Sequence, residues 1–176
     1  MRSLKVNLDK KISSSYEIRI GRDILDRILL LIAKNHQASR YVIITDENVN
    51  GLYGQRLLSA FGEAGLNASI LDIPAGESSK NISMLVEVAE RLLVLGADRG
   101  TVLIALGGGV VGDLTGFIAS VYMRSVPYIQ IPTTLVGQVD SSIGGKTAVD
   151  LPQGKNLLGT FYQPGAVFAD LAFLDT

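Results

Sequence analysis

Thr101-Val-Leu-Ile-Ala-Leu106-Gly-Gly-Gly-Val-Val-Gly112-Asp113 is the stretch on which the fold turns. An unbroken apolar run ends at Leu106, three glycines follow at once, and helix-forming residues continue to about Ser120. Such a run predicts a parallel strand buried on both faces. Gly107 to Gly112 satisfies the pattern G-x-G-x-x-G in a strand–turn–helix setting. Glycines there let the backbone approach a pyrophosphate, and the unpaired N–H groups at the helix start attract its charge. Gly108, Gly109, Val110, Val111, Gly112 and Asp113 are therefore candidate dinucleotide contacts. A purely structural tight turn fits the same glycines, and Asp113 could equally complement the helix dipole.

On either side of this unit, strand and helix patterns alternate. Strands are predicted at Tyr41–Thr45, Ala68–Ile73, Pro127–Ile131 and Ala166–Asp170, with helices near Arg22–Lys34, Tyr53–Ala64 and Ile82–Leu95. The alternation predicts an α/β fold, a doubly wound, mostly parallel sheet of Rossmann-like kind. Leu4–Leu8 and Tyr16–Ile20 predict an additional N-terminal β hairpin ahead of it. Thr133–Gly165 is rich in Gly, Ser, Thr and Gln and is expected to wrap a ligand in loops and hairpins, anchored by Leu157, Leu158 and Phe161.

The glycine turn departs from the usual dinucleotide fingerprint. That motif occupies the first strand–helix unit and has an acid about 20 residues later for the ribose. Here three such units come first, and Ser125–Ile131 contains no acid. Asp46, at the end of an earlier buried strand, and Asn48 just beyond it are candidates for that role. A capping or turn aspartate is the other way to read Asp46. Glu77 and Lys80, in the loop Pro74–Lys80, lie at the end of another strand; they either face the ligand edge or form a capping box.

A second candidate site lies downstream. Asp140-Ser-Ser-Ile-Gly-Gly-Lys146-Thr147 ends like a nucleotide-binding P-loop but begins with Asp where that motif has Gly. Its glycine amides, hydroxyls and Lys146 still make a plausible anion site. Lys155 and Asn156 add a cation and an amide, and Thr133 and Thr134 place hydroxyls at a strand end. Two lysines near glycines favour an anionic small molecule over two merely solvated cations.

Composition narrows the classes. The 176 residues carry 16 Lys and Arg against 17 Asp and Glu, a balance without the cationic excess that nucleic-acid binding requires. With no cysteine there is no disulfide or thiolate site, and one histidine, His36, cannot by itself build a zinc centre. His36 falls in a polar turn and is expected to be exposed. No apolar run is long enough to cross a bilayer, so a cytoplasmic protein with no membrane partner is expected. The chain stops at Leu174–Thr176 without a closing helix, an ending expected of one lobe of something larger.

Leu106–Phe117, Pro132–Val149 and Gly154–Pro164 closely resemble the corresponding motifs of the 3-dehydroquinate synthase family, and the likeness extends across the chain. The resemblance implies that residues 1–176 form an NAD-binding α/β domain, with a helical, metal-binding C-terminal domain not contained in this chain. It implies conversion of 3-deoxy-D-arabino-heptulosonate 7-phosphate to 3-dehydroquinate and phosphate in the shikimate pathway. This is a phosphate-lyase and ring-closing reaction in which NAD is reduced and then regenerated. By the same resemblance Asp46, Asn48, Glu77, Lys80, Gly109–Asp113, Thr133 and Thr134 are cofactor contacts. Phe173, Leu174, Asp175 and Thr176 form another cofactor-contacting segment. Asp140, Lys146 and Asn156 become substrate contacts, with Lys146 a cofactor contact as well and Lys155 near both ligands. Arg124 matches an arginine that reaches the substrate phosphate of a neighbouring subunit, which implies a homodimer. Ser125 stands where the family usually has glycine. A divalent metal, zinc or cobalt, is implied for the whole enzyme, with ligands outside this chain, so the fragment alone is expected to be inactive. Sister cyclases of the deoxy-inosose or valiolone type, an NAD-dependent polyol dehydrogenase, and a non-catalytic binding module are the competing expectations.

Overall fold

The computed structural model describes residues 15–176. Among the described residues are five α-helices and eight strands: β1 (Glu17–Gly21), α1 (Leu25–Asn35), β2 (Arg40–Asp46), α2 (Glu47–Val49), α3 (Gln55–Glu63), β3 (Ala68–Ile73), α4 (Ile82–Val94), β4 (Thr101–Gly107), α5 (Gly109–Val121), β5 (Tyr128–Pro132), β6 (Lys146–Leu151), β7 (Gly154–Phe161) and β8 (Ala166–Asp170). Six strands form one sheet in the order β1-β8-β5-β4-β2-β3, parallel at every pairing. The predicted first hairpin strand, Leu4–Leu8, lies outside the described residues. Its second strand is β1, which pairs in parallel with β8.

Burial follows the period of two that strands impose. On β2, Tyr41 and Ile43 face one core with α1 and α3, while Val42 and Ile44 face a second core with α4 and α5. β4 divides likewise, Val102, Ile104 and Leu106 to the first core and Leu103 to the second. The sheet therefore has helices on both faces, the doubly wound arrangement expected from the alternation.

Strand order explains the unusual place of the glycine turn. From β2 the chain moves outward to β3, then returns so that β4 lies on the other side of β2. The order reverses between β2 and β4, and in doubly wound sheets ligands bind outside the strand ends at such a switch point. Asp46 and Gly107, the last residues of those two strands, flank it.

Two boundaries differ from expectation for local reasons. α1 begins at Leu25 rather than Arg22 because the N–H groups of Asp23 and Ile24 donate to the carboxylate of Asp170, at 2.8 and 2.9 Å. The helix expected near Tyr53 starts at Glu47, capped by Asp46, and runs through a π-helical segment, Asn50–Gly54, into α3. Gly51 and Gly54, poor helix formers, hide that first turn from a propensity reading.

Candidate functional site

The candidate cofactor residues gather along one edge of the sheet. Asp46 ends β2, Pro74–Lys80 follows β3, Gly107–Asp113 follows β4, Thr133 and Thr134 follow β5, and Phe173–Thr176 follows β8. At the glycine turn, Gly108 caps α5 with no side-chain hydrogen bond, so the first helical amides receive no side-chain acceptor. Asp46, Asn81 and Asp170 do cap their helices with side chains. A Cβ on Gly108 would lie 3.1 Å from Thr134, and one on Gly109 would lie 3.2 Å from Ser141 Oγ. An open helix N-terminus in a narrow, glycine-lined cradle fits a pyrophosphate.

Asp46 caps the helix that follows it, the second of the two readings its sequence position allows. Its Oδ1 accepts from the amides of Asn48 and Val49, each at 3.0 Å, and among the described residues no hydrogen bond uses Oδ2. Thr133 is buried and its amide donates to Gly107 O, while exposed Thr134 accepts from the amide of Gly137. Phe173 packs edge-on against Tyr53, whose hydroxyl meets Thr176 Oγ1 at 3.0 Å; Asp175 pairs with Arg22, and Leu174 stays exposed.

Beside the glycine helix, Asp140, Lys146 and Asn156 line one cleft of about 430 Å³, with Asp113 on its wall. β6 and β7 build the other wall as an antiparallel ribbon that packs on α5. Leu157, Leu158 and Phe161 do not anchor this segment as expected. They are exposed, Phe161 at 77%, because β7 pairs only with β6 and leaves a face open.

The Asp140–Thr147 segment is not a P-loop. A helical turn, Gly137–Ser141, leads through Gly144 and Gly145, at φ of 92° and 69°, into strand β6, the reverse of strand–loop–helix. Several of its peptide groups are engaged within the chain. Gly144 N donates to the Tyr16 hydroxyl at 2.9 Å, Gly144 O accepts from Gln163 Nε2, and Gly145 O accepts from Tyr162 N. Lys146 at the strand start is the exposed cation facing the cleft.

Lys80 is 4% exposed and belongs to no capping box; Asn81 caps α4 instead, accepting from Met84 N. The Lys80 ammonium pairs with Asp113 and donates to Asn156 Oδ1 at 2.5 Å. Burial pushes the Asp113 carboxyl up, and the hydrogen bond and charge of Lys80 pull it partly back. Lys155 and Glu77, both exposed, form a 3.4 Å ion pair above this cluster.

Arg124 lies elsewhere. It follows α5, 13 residues long, so about 18 Å of helix separates it from the glycine turn. Met123, Arg124 and Ser125 all have positive φ, Ser125 at 109°. His36 is half-buried rather than exposed, with a Cβ on Gly165 due to fall 3.0 Å from its ring. Among the described residues, no three His, Cys, Asp or Glu side chains form a metal cluster.

A family model described as 3-dehydroquinate synthase N-terminal matches residues 70–176. The chain belongs to that family. The 3-dehydroquinate synthases of Clostridium acetobutylicum and Latilactobacillus sakei subsp. sakei are each 47% identical over 176 residues, 100% of this chain and 49% of their own length. The chain thus spans about half the length of the curated relatives it matches. Among solved structures, 2-epi-5-epi-valiolone synthase of Streptomyces hygroscopicus subsp. jinggangensis with NAD+ and Zn2+ bound is 33% identical at a TM-score of 0.86, covering 98% of this chain and 47% of its own. A 2-deoxy-scyllo-inosose synthase complexed with carbaglucose-6-phosphate, NAD+ and Co2+ is also 33% identical, at 0.82, over 89% and 43%. A glycerol dehydrogenase of Schizosaccharomyces pombe, 20% identical at 0.68 over 96% and 40%, shares the fold.

Some residues that hold the candidate site together carried no signal in the sequence. Asp170, 3% exposed, accepts from the amides of Asp23, Ile24 and Ala172, and its carbonyl accepts from Gln138 Nε2, which also reaches Pro132 O. These bonds tie the ends of β5 and β8 to the start of α1. Tyr16 likewise acts through distant backbone, its hydroxyl accepting from Gly144 N, and only an assembled structure pairs it with the Lys146 loop.

Proposed function

We propose that the chain is the NAD-binding half of a 3-dehydroquinate synthase. It would act on 3-deoxy-D-arabino-heptulosonate 7-phosphate within a cytoplasmic homodimer of the longer enzyme. The observation that carries this is the single cleft in which Asp113 of the glycine helix faces Lys146 and Asn156 of the ribbon. It sets a cofactor cradle beside a site for an anionic, hydroxyl-rich ligand. Whole-chain identity of 47% to 3-dehydroquinate synthases, against 33% to the valiolone and inosose cyclases, favours the first among the cyclases.

When bound, NAD supplies a reversible hydride acceptor, so a ring hydroxyl can be oxidised and restored around phosphate loss with no net redox. The α5 amides at Gly109–Val111 would hold the pyrophosphate, and Asp46 Oδ2 would accept from a ribose hydroxyl. Lys146 and the Asn156 amide donate to substrate oxyanions, and Asp140 accepts from a substrate hydroxyl. The described residues do not fit a divalent metal, so zinc or cobalt is assigned to residues outside this chain and no step here runs through it. Arg124, far from its own cleft, would serve the neighbouring subunit.

Calorimetry on the NAD-saturated chain tests the substrate. 3-Deoxy-D-arabino-heptulosonate 7-phosphate should bind more tightly than glucose 6-phosphate, and Lys146→Ala should remove the binding. Tighter glucose 6-phosphate binding would point to an inosose-type cyclase instead. Formation of 3-dehydroquinate by this chain alone would contradict the assignment of turnover to the longer enzyme.

A further inference from the structure

Lys80 stands in the sequence as a cofactor contact, yet its ammonium points elsewhere. Its side chain is 5% exposed, two of its three N–H donors go to Asp113 Oδ2 and Asn156 Oδ1, and it does not line the cleft. An ammonium has donors only, so the Asn156 amide must turn its oxygen to Lys80. That leaves both N–H donors of Nδ2 for the cleft that Asn156 lines.

The backbone is held by the same residue. Lys80 O accepts from Asp150 N at 2.8 Å, and Asp150 Oδ1 accepts from Asn156 N at 2.7 Å. Asn156 sits at φ 57°, a left-handed conformation that asparagine tolerates and that these two bonds lock. A buried ammonium needs its acceptors, so the arrangement resists an amide flip.

We propose that Lys80 is a positioning residue for the substrate side of the cleft. It fixes Asn156 as a donor beside Lys146, so the group bound there must offer oxygen acceptors. The inference rests on the proposed function only in calling that ligand the substrate; the amide orientation stands without it.

The test uses the 176-residue chain and nitrogen-15 NMR of the Asn156 side-chain amide, with inorganic phosphate and NAD as probes. In the wild type the two Nδ2 protons should be distinct and rigid, and phosphate should shift them. In Lys80→Met they should become mobile and phosphate affinity should fall about tenfold, the loss of one oriented charge-assisted contact. NAD affinity should fall less than phosphate affinity, and Lys80→Arg should restore part of the phosphate affinity. A mobile Asn156 amide in the wild type overturns the proposal without any variant, which covers failure of Lys80→Met to fold. Loss of NAD affinity with unchanged phosphate binding also overturns it and makes Lys80 a cofactor contact. If the amide is rigid and responds to Lys80→Met but neither probe binds the wild type, the positioning stands and the proposed function fails.

Discussion

The ammonium of Lys80 meets the carboxylate of Asp113, 33 residues further along the chain, inside a cluster that excludes most solvent. This pair joins the loop after β3 to the first turn of α5. Asp113→Ala should cost about 3 kcal/mol, because it leaves a buried ammonium with one neutral acceptor. The cost lies in the orphaned lysine rather than in the pair, since burial already disfavours the Asp113 charge. Lys80→Met with Asp113→Leu should therefore unfold at a higher urea concentration than Asp113→Ala alone. The opposite order would mean that the pair is itself strongly stabilising.

Ser125 holds a φ of 109° and ψ of 132°, a region glycine occupies without hindrance from a Cβ. Ser125→Gly should raise stability by about 1 kcal/mol through relief of that strain. Thermal unfolding checks it, and a lowered Tm would show that the serine side chain offsets its own backbone cost.

Asp170 accepts three backbone N–H groups while 97% of its surface is hidden, since only 3% is exposed. Asp170→Ala should lose about 3 kcal/mol, the combined effect of amides left without partners. Hydrogen exchange should quicken first at Asp23, Ile24 and Ala172. Uniform quickening across the sheet would instead mean that Asp170 supports the whole fold rather than this corner.

Burial holds the His36 imidazole below 6.5, its ordinary value, against the opposing charge of Glu17. A depressed folded value favours the neutral ring. Its contribution is therefore full above pH 6.5 and is lost as pH falls through the folded value. As the one histidine in the chain, its Cε1 proton should titrate in isolation with a midpoint below 6.5. His36→Gln should flatten the stability profile across that window. A midpoint at or above 6.5 would show the ring to be solvated.

Much of the fold was legible because apolar runs bounded by glycine and charged residues mark buried parallel strands, and β8 falls on its predicted residues, Ala166–Asp170. The candidate residues at strand ends were legible for the same reason, since strand ends share one sheet edge. Pairings between distant groups were not. Asp170 meets amides 146 and 147 residues away, and a backbone N–H has no sequence signature. Lys80 reads as a ligand-edge or capping-box residue, and its burial emerges only once the ribbon folds over it. Leu157, Leu158 and Phe161 read as anchors because their type suggests burial, whereas a two-stranded ribbon has no second layer on its outer face.

The open helix start at Gly108–Gly109 carries the cofactor assignment. Gly109→Asp keeps that helix, since a first-turn carboxylate suits its dipole and Ser141 Oγ stands near enough to donate to it. The same charge would occupy the place of the pyrophosphate. In calorimetric titration of NAD into the wild-type chain and Gly109→Asp, compared at equal folded fraction, the variant should bind at least about tenfold more weakly, a difference of about 1.4 kcal/mol. Equal affinity in the two chains would contradict the assignment of the glycine turn as the cofactor cradle.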